Sequence, residues 1–375
     1  MNTYKRLSIF TTTACNGKCD YCYLGGLGPD EIKHPQDYNI YINKLLQLDV
    51  NNRATINSIE LWGGEPTLFF NEFLTFWETF NIYFPNLNEI QFSTNLLNSS
   101  VENIINMAET IDNNINHNLT LHFQISIDGD SRINDFNKKY KCGEEIINNA
   151  LNLFNYIDNN NLNYVNFDMT THSILTKESI LLFKSYQDIE NWFNFFLNTF
   201  QNENIKFKLF KPEYEGRAIR WSAKEAEHFA QIMNWIDIWR ETNVEAAKKF
   251  IWPDYKINEL KLCAAGQPQE ILSLSPSGEI MLCHRCIFDE QKYPNTKPIN
   301  LTELYTLCND RYSFYKNYIS QKDFQESLNI FISMIWCPYS YVKNSLFLDQ
   351  WISIPMDIYY RGAINTLLKW SKEYE

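Results

Sequence analysis

Three cysteines follow the first predicted strand in a C-x3-C-x2-C pattern, at Cys15, Cys19 and Cys22. Thiolates are the usual ligands of iron–sulfur clusters, and a cubane cluster normally takes four of them. The next cysteine along the chain is Cys142, and no histidine precedes His34, so this loop offers only three such ligands. Three thiolates leave one iron free to bind a substrate. The alternatives are a zinc site, which needs four closed ligands, or three structural thiols.

Polar and glycine-rich groups follow the next three predicted strands. In chain order they are Gly63-Gly64-Glu65-Pro66, Ser93-Thr94-Asn95 and Ser126-Ile127-Asp128-Gly129. Glycine suits a backbone that must approach a ligand closely. Because the carboxyl ends of parallel strands meet at one edge of a sheet, we expect these groups to lie near the cysteine loop. The alternatives are an ordinary Gly-Gly turn and side chains that cap a turn.

These residues together resemble the signature of the radical S-adenosylmethionine (SAM, or AdoMet) superfamily. Its Cys-x3-Cys-x-aromatic-Cys loop, with Tyr21 as the aromatic residue here, holds a [4Fe–4S] cluster whose open iron is chelated by SAM. The resemblance runs over residues 1–220. It implies that the reduced cluster cleaves SAM to a 5′-deoxyadenosyl radical, which takes a hydrogen atom from an unactivated carbon. The cofactor carries this chemistry, and the protein supplies positioning and excludes water.

The resemblance also implies which residues contact SAM. The family commonly carries an arginine that pairs with the SAM carboxylate, but here Lys138 occupies that place, with Arg132 nearby as the alternative. Leu96 replaces the glycine of the family's Thr-Asn-Gly turn. No catalytic base is assigned. The implied cofactor-binding residues are Tyr21, Gly63, Gly64, Glu65, Asn95, Ser126, Asp128 and Lys138.

A second group of cysteines lies in the C-terminal third. The spacing of this group is similar to the opening of SPASM and twitch auxiliary-cluster domains. Fourteen residues separate Cys263 from Gly278, and four separate Gly278 from Cys283. Strands at Ile271–Leu274 and Glu279–Leu282 are predicted to form a hairpin there. The resemblance implies one auxiliary [4Fe–4S] cluster, with Cys308 as an alternative fourth ligand and a zinc site including His284 as the other possibility. Its implied ligands are Cys263, Cys283, Cys286 and Cys337.

Predicted strands alternate with predicted helices over most of the chain. The strands are Arg6–Thr11, Ser58–Leu61, Glu89–Ser93, Leu119–Ser126, Tyr164–Thr170 and Ile205–Lys211. The helices are Asp37–Leu48, Phe70–Phe80, Val101–Glu109, Glu144–Asn159, Ile180–Thr199 and Ser222–Phe250. This alternation is typical of a parallel sheet covered by helices, in too few units to close an eight-stranded barrel.

The sequence therefore predicts the α/β class, with a partial (β/α)6 TIM-like barrel. The alternation stops near Trp252. The predicted domains are the radical SAM partial barrel at 1–220, a linking helix at 221–251, and a small Cys-rich auxiliary-cluster domain of a β-hairpin plus helices at 252–375.

Composition and net charge argue against several classes of function. The formal net charge of −12 argues against a nucleic-acid partner, because such partners require basic surfaces. No apolar run approaches the roughly 20 residues of a membrane span, and the N-terminus has no signal-peptide pattern, so a cytoplasmic protein without membrane contact is expected. Nine cysteines, an odd number, argue against a complete disulfide framework. Aromatic residues make up 15% of the chain and suit a core or a pocket lined with rings.

Enzymes that resemble this arrangement mostly modify peptides or proteins. We therefore expect an oxidative modification of a peptide or protein, such as a crosslink, with flavodoxin or ferredoxin as electron donor. The alternatives are dehydrogenation of a small-molecule alcohol, formylglycine formation, and a non-catalytic iron–sulfur or zinc regulator. The cluster loop begins at Cys15, so any leader peptide is expected to dock on an exposed strand edge or on a partner protein.

Overall fold

The computed structural model describes residues 5–19, 22, 39–46, 55–75, 77–176, 178–201, 205–210, 223–251, 271–275, 278 and 280–281. Strands and helices alternate along these residues. The strands are β1 Arg6–Thr12, β2 Ser58–Gly63, β3 Glu89–Thr94, β4 Leu119–Ser126, β5 Val165–Ile174, β6 Ile205–Phe210, β7 Phe250–Ile251, β8 Ile271–Leu274 and β9 Ile280–Met281.

The α-helices connect and cover these strands. They are α1 Asn39–Leu45, α2 Phe70–Thr75, α3 Trp77–Tyr83, α4 Ser100–Asn114, α5 Ser131–Lys138, α6 Gly143–Asn159, α7 Tyr186–Thr199, α8 Ala223–Thr242 and α9 Val244–Ala247. Two 3-10 turns, Pro66–Phe69 and Ser179–Leu182, precede α2 and α7.

The described strands form one open sheet in the order β7-β6-β5-β4-β3-β2-β1-β8-β9. Strands β1 to β7 pair in sequence and in parallel, β8 adds in parallel on the other side of β1, and β9 is antiparallel to β8. The predicted α/β class and partial barrel are confirmed. The hairpin predicted around Gly278 is also present, and β8 joins the main sheet although it lies within the predicted C-terminal domain. The predicted domain boundaries stay predictions.

Several boundaries differ from the predicted ones for local reasons. Strand β5 continues beyond its predicted end at Thr170 to Ile174, because its ladder with β6 runs through Ser173 and Ile174. The predicted helix Ile180–Thr199 is broken: α7 starts only after Ser185, where Ser185 and Asp188 form a capping box. Helix α5 was not predicted.

The two faces of the sheet differ in chemistry. On β4, the apolar residues Leu119, Leu121, Phe123 and Ile125 are buried in the core beneath the helices. The alternate residues point to the opposite, inner face and are half-buried. The aromatic rings fill the core: Phe92 stacks on Phe123 with centroids 5.2 Å apart. Because side chains alternate along a strand, this pattern separates an apolar outer face from a polar inner one.

No helix in the described part of the chain combines the length and the apolar character that crossing a bilayer requires.

Asp112, near the end of α4, fastens that helix to the start of β5. Its buried carboxylate accepts backbone hydrogen bonds from Asn163 at 3.0 Å, Tyr164 at 2.6 Å and Val165 at 2.9 Å. Burial alone would raise the pKa of Asp112, but these donors hold it below its ordinary value. The carboxylate therefore stabilises the folded protein in its ionised form.

The change Asp112→Ala is expected to lower the free energy of unfolding by about 2–4 kcal/mol, since three N–H donors lose a charged acceptor. Because the folded pKa is depressed, this contribution is complete above the ordinary aspartate pKa of about 3.9 and is lost as the pH falls further. Urea unfolding between acidic and neutral pH measures it. Asn113→Ala, at the exposed neighbouring position, is the control; equal stability of the two variants at neutral pH would contradict this role.

Candidate functional site

The three-cysteine loop begins where β1 ends. The Gly17 N–H donates to Cys15 Sγ at 3.2 Å, and the Cys22 N–H donates to the Cys19 carbonyl at 3.1 Å. A β-carbon placed on Gly17 would lie 3.5 Å from Cys15 Sγ and 3.8 Å from Cys19 Sγ, so these two sulfurs border the same space. Cys15 is exposed, and the other two are half-buried.

The donor set of this loop fits a cluster with three protein ligands. In the described ranges, no three or more His, Cys, Asp or Glu side chains lie in an arrangement that could hold a single metal ion. A cubane cluster needs a wider arrangement of ligands, because each cysteine binds a separate iron. Thiol chemistry, the accessibility of Cys15 and an N–H donor on its sulfur are all suited to such a cluster.

The Gly-Gly-Glu segment packs directly on the backbone of the cysteine loop. The Gly64 N–H donates to the Thr12 carbonyl at 2.8 Å, and the Glu65 N–H donates to the Ala14 carbonyl at 2.9 Å. A β-carbon would lie 2.4 Å from the Thr12 oxygen at Gly63 and 2.2 Å from the Ala14 oxygen at Gly64. The neighbour that requires glycine is therefore the cysteine loop itself.

Glu65 is a buried carboxylate, 1% exposed, that joins two strand ends. Its Oε2 accepts from the Asn95 N–H at 2.8 Å, and its Oε1 accepts from Thr67 Oγ1 at 2.7 Å. Burial raises the pKa of Glu65, although these donors act in the opposite direction. The carboxylate fixes the β3 turn relative to the Gly-Gly segment.

Asn95 links Glu65 to the cysteine loop. Its Nδ2 donates to Asn16 Oδ1 at 2.7 Å and to Cys15 Sγ at 3.7 Å. The next residue, Leu96, has φ 55°, in the left-handed region that favours glycine. This is the position at which the resembled family carries glycine, a residue that adopts the left-handed conformation without strain.

Asp128 and Lys138 form a buried ion pair next to the β4 end. Lys138 Nζ lies 3.1 Å from Asp128 Oδ2, both side chains are 0% exposed, and Asp128 Oδ1 accepts from the Ile174 N–H at 2.9 Å. Burial alone would lower the pKa of Lys138, but the Asp128 carboxylate outweighs it and the pKa is raised. Of the two cations predicted for the SAM carboxylate, Lys138 is thus enclosed and paired. Arg132 is 68% exposed and lies 3.9 Å from Asp130.

Residues that the sequence analysis did not assign hold the Asp128 segment in place. Asn134 Oδ1 accepts from the Asp128 N–H at 2.9 Å, and Trp192 Nε1 donates to the Asp128 carbonyl at 2.8 Å. Asn134 lies four residues before Lys138, in a segment that the family resemblance already singles out. Trp192 carries no sequence signal.

Ser126 lies on β4 opposite His172 in the ladder with β5.

Six predicted site residues lie outside the described residues. They are Tyr21 and the cysteines of the second group with their alternative, Cys263, Cys283, Cys286, Cys308 and Cys337. The ligand and SAM-contact assignments stay predictions.

A scan of protein-family models and a search of curated proteins find no match to this chain. Solved structures do match. Hexahistidine-tagged anSMEcpe with bound AdoMet superposes with a TM-score of 0.53 at 16% identity, covering 80% of this chain and 77% of that chain. Native anSMEcpe with bound AdoMet gives 0.51 at 17% identity, with 80% of each chain covered.

A third match is Streptococcus suis SuiB bound to S-adenosylmethionine, with a TM-score of 0.47, 15% identity and coverage of 76% of this chain and 61% of SuiB. The chain thus spans less than two thirds of SuiB. At these identities the likeness concerns the fold. The chain has the open α/β fold of the AdoMet-bound anSMEcpe structures, in agreement with the partial barrel that its sequence predicts.

Proposed function

We propose that this chain is a radical SAM enzyme that holds a [4Fe–4S] cluster on Cys15, Cys19 and Cys22 and installs an oxidative modification, such as a crosslink, in a peptide or protein. The observation that carries the proposal is the hydrogen-bonded chain from Glu65 through Asn95 to Cys15 Sγ. It joins three strand ends at the edge of the sheet where the sequence motifs predict a cofactor. When bound, the cluster supplies the electron that cleaves SAM.

Two hydrogen-bond donors of the protein act on the sulfur of Cys15. The Gly17 N–H and the Asn95 side chain both donate to Cys15 Sγ. Loss of solvation and the Glu65 carboxylate raise the pKa of the Cys15 thiol, and the Gly17 N–H acts in the opposite direction. Glu65 fixes Asn95 through its backbone N–H. Because Glu65 is buried and doubly hydrogen-bonded, the position of Asn95 is set before any ligand binds.

The polar side chains on the inner face of the sheet favour the proposal of a polar substrate. One register row carries Ser8, Glu60, Gln91, His122 and Asp168 across five neighbouring strands. His122 Nδ1 lies 2.7 Å from Asp168 Oδ2. Ser8 has a buried hydroxyl without a hydrogen-bond partner in the described part of the chain. Polar groups on this face suit the amides and side chains of a peptide, because buried polar atoms require partners.

The second cysteine group completes the proposal. Cys263, Cys283, Cys286 and Cys337 are proposed to bind one auxiliary [4Fe–4S] cluster, which would accept the electron released when the substrate is oxidised. Flavodoxin or ferredoxin is the proposed donor to the first cluster. The β8–β9 hairpin lies between Cys263 and Cys283 in the sequence, where the resemblance to auxiliary-cluster domains predicts it, and this supports the assignment.

The test is anaerobic reconstitution followed by assay of iron, sulfide and 5′-deoxyadenosine after addition of SAM and dithionite. The wild type is expected to bind about eight irons, and Cys15→Ala/Cys19→Ala/Cys22→Ala about four, with the nucleoside formed only by the wild type. Lys18→Ala, at an exposed position in the same loop, is the matched control and is expected to keep both properties. Folded wild-type protein that binds no iron and forms no nucleoside would refute the proposal.

If the wild type binds about four irons and still forms the nucleoside, the auxiliary cluster is absent and the assignment of the first cluster is retained. Mass spectrometry of candidate peptides incubated with the loaded enzyme then tests the substrate class. Loss of two hydrogens from a peptide is the expected signature of a crosslink. Oxidation of small alcohols alone would replace the peptide assignment by the dehydrogenase alternative.

A further inference from the structure

The connection between α5 and α6 reaches the cysteine loop. Tyr140, within this connection, donates from its phenolic hydroxyl to the Asn16 carbonyl at 3.2 Å. Asn16 directly follows Cys15 in the chain. The ring of Tyr140 packs against the hydrophobic core, so only its hydroxyl end extends to the loop.

The side chain of Asn16 forms hydrogen bonds on a second side as well. Its Oδ1 accepts from Asn95 Nδ2 at 2.7 Å, and its Nδ2 donates to the Leu97 carbonyl at 3.2 Å. The backbone of Asn16 is thus held by the α5–α6 connection, and its side chain by the turn after β3. One residue next to a predicted cluster ligand is fixed from two separate elements.

The α5–α6 connection is itself firmly held. Asp135 Oδ1 accepts from the N–H groups of Cys142 and Gly143, each at 2.7 Å, where α6 begins. On the other side, Lys138 is fixed by its buried ion pair with Asp128. Tyr140 lies between these two attachments, so its hydroxyl has a defined position from which to hold the loop.

We infer that Tyr140 is a positioning residue for the cluster: it holds the Asn16 peptide so that the Cys15 thiolate is in place when the cluster binds. This inference rests on the proposed function of the cysteine loop. Tyr140 acts through Asn16 and needs no contact with the cluster. A loop fixed in advance loses less conformational freedom on binding and releases its metal more slowly.

The test compares Tyr140→Phe with Tyr156→Phe in the reconstituted full chain. Tyr156 is the matched control, because it is also half-buried and its hydroxyl donates to Glu109 at 2.8 Å, on α4 and away from the loop. Iron release to the chelator bathophenanthroline is followed anaerobically. Tyr140→Phe is expected to release the loop's iron about five-fold faster, which corresponds to the loss of one neutral hydrogen bond. Tyr156→Phe is expected to match the wild type.

Electron paramagnetic resonance of the dithionite-reduced cluster separates positioning from general stability. Tyr140→Phe is expected to broaden or shift the signal, whereas Tyr156→Phe leaves it unchanged. Wild-type release rates and spectra in Tyr140→Phe would overturn the inference. So would an equal loss of melting temperature in the cluster-free and loaded forms without a change in release or spectrum.

A second variant keeps the test valid where Tyr140→Phe fails to fold. Tyr140→Met also removes the hydroxyl that donates to the Asn16 carbonyl, while its flexible apolar side chain fills the space of the ring, and it is expected to accelerate iron release in the same way. An unchanged rate in this variant would overturn the inference. Failure of the wild type to bind iron refutes the proposed function itself and is thereby distinguished from failure of Tyr140 alone.

Discussion

The change Gly64→Ala is expected to remove the SAM-cleaving activity and most of the iron of the first cluster. The added β-carbon would lie 2.2 Å from the Ala14 oxygen, 2.6 Å from the Ala14 carbonyl carbon and 2.7 Å from the Thr13 oxygen. All three are backbone atoms, so no side chain can rotate away. The two segments must separate, and the hydrogen bonds from Gly64 and Glu65 to the cysteine loop are then lost.

Overpacking of this kind costs about 1–3 kcal/mol, and each lost hydrogen bond about 1 kcal/mol, so a loss of about 3–5 kcal/mol in unfolding free energy is expected. Iron content should fall from about eight towards about four per chain. Urea unfolding and iron analysis measure the two effects.

Gly129→Ala is the comparison variant for this test. Its nearest contact would be Ile133 Cδ1 at 2.8 Å, the movable end of a side chain, so a smaller loss of stability is expected. Full iron content and wild-type stability in Gly64→Ala would contradict the close backbone contact described for this site.

The change Lys138→Met is expected to lower the free energy of unfolding by about 3–5 kcal/mol, because it leaves the buried Asp128 carboxylate without its partner. Both side chains are 0% exposed, so water cannot replace the lost ammonium group. Against the effect of burial, the Asp128 carboxylate raises the pKa of Lys138, so the contribution of the ammonium group is present at neutral pH and is lost only as the pH rises through that pKa.

The double variant Lys138→Met/Asp128→Asn isolates the charge effect. An asparagine at 128 can still accept from the Ile174 N–H, and no unpaired charge stays in the interior. The double variant is therefore expected to be more stable than Lys138→Met alone, by urea unfolding at neutral pH. A double variant less stable than the single one would show that the ion pair is not the main contribution of Lys138.

The sequence predicted the parts of the fold that depend on periodicity. Strand β4 was predicted at its observed bounds, because Leu119 to Ser126 alternate strictly between apolar and polar residues. Helix α5 was missed, because its eight residues carry few apolar positions and depend on capping by Asp130, which accepts from the Ile133 N–H at 3.0 Å. Polar capping of a short helix is a local hydrogen-bond effect without a periodic signal.

Residues of the candidate site were predictable where only one residue type fits the position. Gly63 and Gly64 are examples, since only glycine fits against the cysteine loop. The partners of these residues were not predictable. Tyr140 and Asn16 are 124 positions apart, and an isolated tyrosine gives no indication of which carbonyl it reaches. Lys138 was predicted from its position in a motif, but its burial with Asp128 follows from packing that the motif does not encode.

The position of β8 has a consequence for synthesis of the chain. Strand β1 pairs with β2 on one side and with β8 on the other, and β8 lies near the far end of the described residues. On the ribosome, one edge of β1 therefore stays open long after Cys15, Glu65 and Asn95 have emerged. An open edge is a template for pairing with other chains, and distant strands pair slowly. This edge of β1 therefore stays available for pairing with other chains until Ile271–Leu274 have been synthesised and paired with it.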